Sequence, residues 1–145
     1  MSDNAETTMP SIDPAAMPPV KGGVTAYVTV EGAMKAVDFY QKALGAELAF
    51  AMPPDESGRT MHVHLYINGS SVMLADPYPE YCSGPVEKIG GFNLSLHVSD
   101  TDAAYARAVE AGATPVMPPE DMFWGARYAQ VRDPFGVLWA FNQQR

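Results

Sequence analysis

The sequence predicts an α+β fold built from two similar modules, each with the element order βαβββ. Three observations support this prediction. Two amphipathic helical segments each follow a strand-like segment, both helical segments end at a Gly-Ala pair, and short strand-like segments with turns follow both. Because small repeated modules usually bury exposed sheet surface against each other, the two modules are expected to form one domain.

The first module is predicted over residues 23–76. Residues 24–30 (VTAYVTV) alternate and are rich in β-branched side chains, which is typical of a strand. In residues 32–46 the apolar side chains recur at helical spacing, and Gly45 stands where a helix C-terminal cap belongs. The remaining strands are residues 47–52 and a hairpin of residues 61–67 and 71–76 around Asn68-Gly69.

The second module is predicted over residues 92–142 and repeats the order of the first. Residues 92–98 (FNLSLHV) form its first strand, and Ser99 or Asp100 can cap a helix that Gly112 ends. The helix and the later strands are predicted at residues 101–111, 114–117, 122–131 and 136–142, with a turn at residues 133–136.

Two segments lie outside the modules. Residues 1–22 are predicted to be a flexible tail, because four prolines among small and polar residues leave too little apolar surface to offset the entropy of ordering. Residues 77–91 are predicted to link the modules. The remaining chain, residues 23–145, is therefore expected to be a single domain.

Charge and cysteine content restrict the partners and the compartment. The net charge of −8 argues against nucleic acid and anionic membrane surfaces, because no basic cluster is present to release phosphate counterions. No apolar run approaches the ~20 residues of a membrane span, and no signal-peptide pattern is present. A single cysteine, Cys82, excludes an internal disulfide and suits a reducing compartment. We therefore expect a cytoplasmic protein.

Two motifs carry a family resemblance. The runs AMKAVDFYQKALGAE and WGARYAQVRDPFGVLWAF resemble the vicinal oxygen chelate superfamily, and more narrowly its glyoxalase/bleomycin resistance, PhnB-like branch. The resemblance covers residues 24–142. It implies that each module curls its sheet into half of a cup, with the helices outside and a small-molecule ligand inside. It also implies a homodimer, in which the cup can be completed across the two chains.

The resemblance further implies four metal-ligand positions, one on each inner strand. In this chain they are Thr25, Leu74, Asn93 and Ala140. None of these side chains is a useful ligand for Zn²⁺ or Fe²⁺, which need at least three nitrogen, sulfur or carboxylate donors. The usual metal site is therefore expected to be absent, and no cofactor is predicted.

Strand alternation places the three histidines on the sheet face opposite the helices. His62 and His64 share one strand of the first module, and His97 lies on the first strand of the second module. Tyr27 and Asn93 are predicted on the same faces. These side chains are therefore expected to line the cup.

The histidines have three possible roles. They can form the polar wall of a ligand pocket, which is the leading interpretation. His64 or His97 can serve as a general base if a neighbour such as Asp76 orients the imidazole. Alternatively, all three histidines can hold a divalent metal such as zinc, with Asp76 as a fourth donor.

A lid is predicted at residues 117–128 (MPPEDMFWGARY). Aromatic side chains in this segment can stack on a planar or sugar-like ligand, and Arg127 can fix a carboxylate or phosphonate. The alternative is that the aromatic side chains plug the cup or form a dimer contact, with Arg127 paired to Asp133 or Glu120. The aromatic members are Phe123, Trp124 and Tyr128.

The sequence thus predicts a protein that binds a small organic molecule in the cup without the usual metal. The alternative is a lyase or isomerase of the same superfamily that uses a histidine base or a histidine-bound metal. The candidate ligand-binding residues are Tyr27, His62, His64, Asn93, His97, Phe123, Trp124, Arg127 and Tyr128.

Overall fold

The computed structural model describes residues 16–80 and 90–145, and its elements follow the predicted order. Cys82 and most of the predicted linker lie outside the described residues. The first module contains β1 (Ala26–Thr29), α1 (Ala33–Leu44), β2 (Glu47–Ala51), β3 (Val63–Ile67) and β4 (Ser70–Ala75). The second contains β5 (Leu94–His97), α2 (Thr101–Glu110), β6 (Thr114–Asp121), β7 (Ala126–Arg132) and β8 (Leu138–Gln144).

Each module forms one four-stranded sheet. The strand orders are β1-β4-β3-β2 and β5-β8-β7-β6. The first strand of each module runs parallel to the last, and the other neighbours are antiparallel. The predicted α+β fold of two βαβββ modules is therefore confirmed.

One face of each sheet packs against the helices and forms the core. Val63, Leu65 and Ile67 of β3 are buried there, as are Trp139 and Phe141 of β8. Since side chains alternate along a strand, the residues between them lie on the other face. We call the face opposite the helices the open face of each sheet.

A buried carboxylate joins the two modules. Asp133, in the turn before β8, accepts hydrogen bonds from the Tyr40 hydroxyl at 2.5 Å and the Trp139 indole nitrogen at 2.8 Å. Its other oxygen accepts from the amides of Phe135 and Val137 at 2.8 and 2.9 Å. Burial and the neighbouring carboxylate raise the pKa of Tyr40, so its hydroxyl remains a proton donor.

A second contact between the modules lies at the end of α1. The Arg107 side chain, on α2, donates to the backbone carbonyls of Lys42 and Gln41 at 2.9 and 3.4 Å. A cation is favourable at this position because the last carbonyls of a helix carry partial negative charge. Gly45, with φ of 66°, ends α1 beside this guanidinium.

The second module differs from the sequence prediction at β6. This strand extends to Asp121, so residues 117–121 of the predicted lid belong to the sheet and only a turn at residues 122–125 projects from it. β6 contains three prolines. They are tolerated because β6 is an edge strand whose pairing with β7 is interrupted by register shifts.

We predict that Tyr40→Phe lowers the free energy of unfolding by about 1.5–3 kcal/mol, because it removes a hydrogen bond to a buried charge. Asp38→Asn, which breaks only an exposed pair with Lys42 on the same helix, is the control and is expected to cost less than about 0.5 kcal/mol. Urea unfolding measures both. Equal losses in the two variants would contradict a special role for the Tyr40–Asp133 bond.

Candidate functional site

The open face of the first sheet carries aromatic rings and imidazoles. Register places Tyr27 opposite Met73, Met73 opposite His64, and His64 opposite Phe50, so these four side chains share one face. His62 precedes β3, and its ring lies 5.7 Å from the Tyr27 ring and 6.1 Å from the Phe50 ring, tilted against both. The open face predicted for Tyr27, His62 and His64 is therefore observed.

Tyr27 and His62 form a pair at this surface. The Tyr27 hydroxyl lies 3.0 Å from His62 Nδ1 and donates to the Met61 carbonyl at 3.2 Å. The Phe50 ring lies 6.1 Å from the imidazole on its other side. Tyr27 remains 54% exposed, which makes this the accessible part of the open face.

His64 has a different environment. Its Nε2 lies 2.7 Å from the Ser71 hydroxyl, the Tyr66 ring is 5.0 Å away, and the side chain is 1% exposed. Burial lowers the pKa of His64. Burial, and to a smaller extent the neighbouring His64, also lowers the pKa of His62. Both imidazoles are therefore neutral at pH 7.

Part of the predicted tail contacts this face. The Tyr66 hydroxyl donates to the Pro19 carbonyl at 2.6 Å, and the Lys21 ammonium lies 4.0 Å from the Tyr66 ring centroid. Lys21 and Ser71 also exchange two hydrogen bonds. We call residues 19–21 the N-terminal strap. The sequence did not indicate this contact.

The open face of the second sheet is more polar. Ser95 and His97 of β5 pair with Ala140 and Asn142 of β8, which places Asn93, Ser95 and His97 on this face as predicted. The Ser95 hydroxyl donates to the Asn93 side chain at 2.6 Å. The His97 side chain is exposed.

A groove of about 300 Å³ runs between the edges of β1 and β5. Two candidate residues, Asn93 and His97, line this groove. The turn residue Asn68 also lines it, and its side chain donates to the His97 carbonyl at 2.9 Å. Tyr27 and His62 do not line it. The structure therefore brings the candidates together in two groups, one on each sheet.

The aromatic candidates of the second module cluster at the turn between β6 and β7. Phe123 is 97% exposed and Trp124 is 51% exposed, and their rings meet edge to face at 5.0 Å. Trp124 also contacts Tyr128, at 5.6 Å between centroids. Tyr128 accepts a hydrogen bond from the Gln130 side chain on the open face. These rings form an aromatic cluster at the end of the second sheet where β6 turns into β7.

Arg127 lies on the opposite face from these rings. It donates to both carboxylate oxygens of Asp102, on α2, at 2.7 and 2.9 Å, and to Asp121 at 3.3 Å. The hydrogen bonds to Asp102 raise the pKa of Arg127 above its ordinary value. The expected partners Asp133 and Glu120 are not those observed. Arg127 is thus held against α2 and does not reach the open face.

The metal-ligand expectations also need correction. Leu74 is fully buried against the core, because β4 turns Ser71 and Met73 to the open face instead. Asp76, considered as a zinc donor, accepts from the amides of Gly32, Ala33 and Thr60 at 2.7–3.1 Å. It therefore anchors the start of α1.

Within residues 16–80 and 90–145, no three His, Cys, Asp or Glu side chains lie close enough to hold a metal ion. The three histidines therefore do not form a ligand set in these ranges. Over the same part of the chain, neither helix has the length and hydropathy that crossing a bilayer would require.

Comparison with known proteins agrees with this architecture. Residues 23–141 match the family model of the glyoxalase/bleomycin resistance protein/dioxygenase superfamily. An uncharacterised protein of Mycobacterium tuberculosis is 42% identical over 130 residues, which cover 86% of this chain and 75% of the relative. A protein of Arabidopsis thaliana is 32% identical over 118 residues, covering 76% of this chain and 70% of that protein.

Solved structures show the same likeness. TioX from Micromonospora sp. ML1 superposes with a TM-score of 0.65 and 30% identity, over 84% of this chain and 96% of TioX. A glyoxalase-related enzyme from Fulvimarina pelagi gives a TM-score of 0.69 at 18% identity, over 86% of this chain and 89% of that chain, which shows the fold alone. Together with the paired βαβββ modules, these matches establish that the chain belongs to the glyoxalase/bleomycin resistance protein/dioxygenase superfamily.

Proposed function

We propose that this protein binds a small organic molecule on the open face of its first sheet, without a metal ion at the positions that the superfamily uses. The observation that carries this proposal is the accessible pair of Tyr27 and His62 beside Phe50. Aromatic rings provide stacking surface, and Nε2 of His62, on the side of the ring away from the Tyr27 hydroxyl, can hydrogen-bond to a ligand. A planar molecule with polar substituents fits this combination.

The second sheet supports the same function through different chemistry. Asn93 and Ser95 present amide and hydroxyl groups, and Trp124 with Tyr128 adds an exposed aromatic edge. Because the two open faces are separate within one chain, we propose a homodimer in which a first sheet faces a second sheet of the partner. We further propose a cytoplasmic location, as the sequence predicted.

An enzymatic function, as a lyase or isomerase, is favoured by one observation. The Tyr27 hydroxyl at Nδ1 of His62 can hold the ring in place, so that Nε2 is the atom that a substrate proton would reach. The lowered pKa of His62 keeps this imidazole neutral at pH 7, as a general base requires. His64, one of the two bases expected from sequence, is 1% exposed, and its Nε2 lies 2.7 Å from the Ser71 hydroxyl.

We predict that some compounds of a metabolite library raise the melting temperature of the wild-type protein. The same compounds should raise the melting temperature of the Tyr27→Ala variant much less. Bound ligand stabilises the native state, by about 2.7 kcal/mol when its concentration is 100 times Kd, and Tyr27→Ala removes the exposed ring. Leu48→Ala, on the helix-facing side of β2 and 40% exposed, is the matched control. Equal shifts in both variants would place the binding site elsewhere.

Metal content provides a second prediction. Protein purified without a histidine tag is expected to contain only substoichiometric zinc, nickel, manganese or iron when measured by plasma mass spectrometry. A stoichiometric metal that disappears in the double variant His64→Ala, His97→Ala would overturn metal-free binding. It would also favour the alternative of a histidine-based metal site.

We predict that acid sensitivity depends on His64. Because the pKa of His64 is lowered in the folded chain, this imidazole takes up a proton near pH 6.5 in the unfolded chain but not in the folded one. The free energy of unfolding therefore falls as the pH drops from 7 to 5. His64→Gln removes this contribution and should give a shallower fall. Urea unfolding at several pH values measures the slope, and an unchanged slope would show that His64 titrates alike in both states.

A further inference from the structure

The N-terminal strap satisfies polar groups of the open face with its own backbone. The Ser71 amide donates to the Lys21 carbonyl at 2.9 Å, and the Lys21 amide donates to the Ser71 hydroxyl oxygen at 2.7 Å. The Tyr66 hydroxyl donates to the Pro19 carbonyl at 2.6 Å. Two carbonyl oxygens of the strap therefore meet two donors of the sheet, as the oxygens of a bound molecule would.

The strap also provides a cation. The Lys21 ammonium lies 4.0 Å from the centroid of the Tyr66 ring, within the range of a cation–π contact. The chain's net charge of −8 favours association with cations in general. The Tyr66 ring is thus in contact with a positive charge in the folded chain.

His64 adjoins this contact through the Ser71 hydroxyl and the Tyr66 ring. It is 1% exposed, although it shares the open face with Tyr27, which is 54% exposed. The Ser71 hydroxyl that receives the Lys21 amide is the same group that lies 2.7 Å from His64 Nε2. Tyr27 lies on the edge strand β1, whereas His64 lies on the inner strand β3, where its neighbours are the Ser71 hydroxyl and the Tyr66 ring that the strap contacts.

A glycine connects the strap to the segment before β1. Gly22 has φ of +112°, a conformation that residues with a side chain rarely adopt, whereas Gly23 does not. A Cβ on Gly23 would meet no atom within 4 Å. The two neighbouring glycines therefore provide a strained and an unstrained position for the same substitution.

We propose that the strap occupies a ligand subsite formed by Tyr66, Ser71 and His64, and that the molecule which replaces it is an organic cation with nearby carbonyl oxygens. The cation would lie over the Tyr66 ring. The carbonyl oxygens would accept from the Tyr66 hydroxyl and the Ser71 amide. This proposal rests on the proposed function, since it concerns one end of the same open face.

The first test compares Gly22→Ala with Gly23→Ala in the full chain. Carbethoxylation of His64 by diethyl pyrocarbonate is followed by tandem mass spectrometry, with the exposed His97 as the internal reference. In Gly22→Ala, backbone strain should increase the fraction of molecules in which the strap is detached from the sheet. The rate of His64 carbethoxylation should then rise about fivefold, while Gly23→Ala leaves this rate at the wild-type value. Tyr66→Phe, which removes the donor to Pro19 and keeps the ring, should raise the rate as well.

Unchanged His64 rates in both Gly22→Ala and Tyr66→Phe would overturn the role of the strap. A wild-type His64 rate equal to that of His97 would overturn it too, because the site would already be open. Neither outcome bears on the Tyr27 end of the face. The thermal shifts in Tyr27→Ala test the proposed function separately from these His64 rates.

The second test identifies the chemical class. Nα-acetyl-lysinamide is added to the Gly22→Ala variant, and Nα-acetyl-norleucinamide, which has nearly the same shape without the charge, is the control probe. The cationic probe should protect His64 from modification at a two- to fivefold lower concentration, roughly the contribution of an exposed cation–π contact. Equal protection would exclude selection of a cation, and no protection by either probe would exclude the subsite.

Discussion

The buried carboxylate of Asp133 is the constraint on which the arrangement of the two modules depends. It receives four hydrogen bonds, two from its own turn and two from the buried rings of Tyr40 and Trp139. Burying a charge is costly unless it is fully hydrogen-bonded, so this group tolerates few alternative arrangements. Because Tyr40 belongs to α1 and Asp133 to the second module, satisfying the carboxylate fixes one module against the other.

The two open faces lie outside this core and differ in their chemistry. The helices and the core sides of both sheets are joined through Tyr40, Phe39, Phe135 and Trp139, whose rings lie 5.3–6.2 Å apart. Among residues 16–80 and 90–145, no ring-to-ring contact of this kind links the two open faces. The first sheet fills its open face with rings and neutral imidazoles, and the second uses amides and hydroxyls. A ligand that contacts both faces would therefore have a stacking side and a hydrogen-bonding side.

Local patterns in the sequence predicted most of the fold. Apolar periodicity and the Asn68-Gly69 turn located the helices and the hairpin. The pairing within the hairpin, with Tyr66 opposite Ser71 and His64 opposite Met73, was not predicted, and Leu74 was therefore placed on the wrong face. Alternation also placed Tyr27, His62, Asn93 and His97 on the open faces. These features depend on neighbours in the sequence, which is why pattern alone could find them.

The features that could not be predicted depend on residues far apart in the chain. Asp76 caps a helix that begins 43 residues earlier, and Arg127 pairs with an aspartate 25 residues away. Neither partner follows from local spacing, so both side chains were considered for binding roles. The strap contact spans 50 residues and uses backbone atoms, which side-chain patterns do not reveal.

The prolines of β6 have a consequence for self-association. Pro115, Pro118 and Pro119 lie on the outermost strand of the second sheet and remove three amide donors from it. A strand from another molecule cannot form a regular ladder along this edge. Fibrous growth by edge-to-edge strand addition is thereby disfavoured along β6.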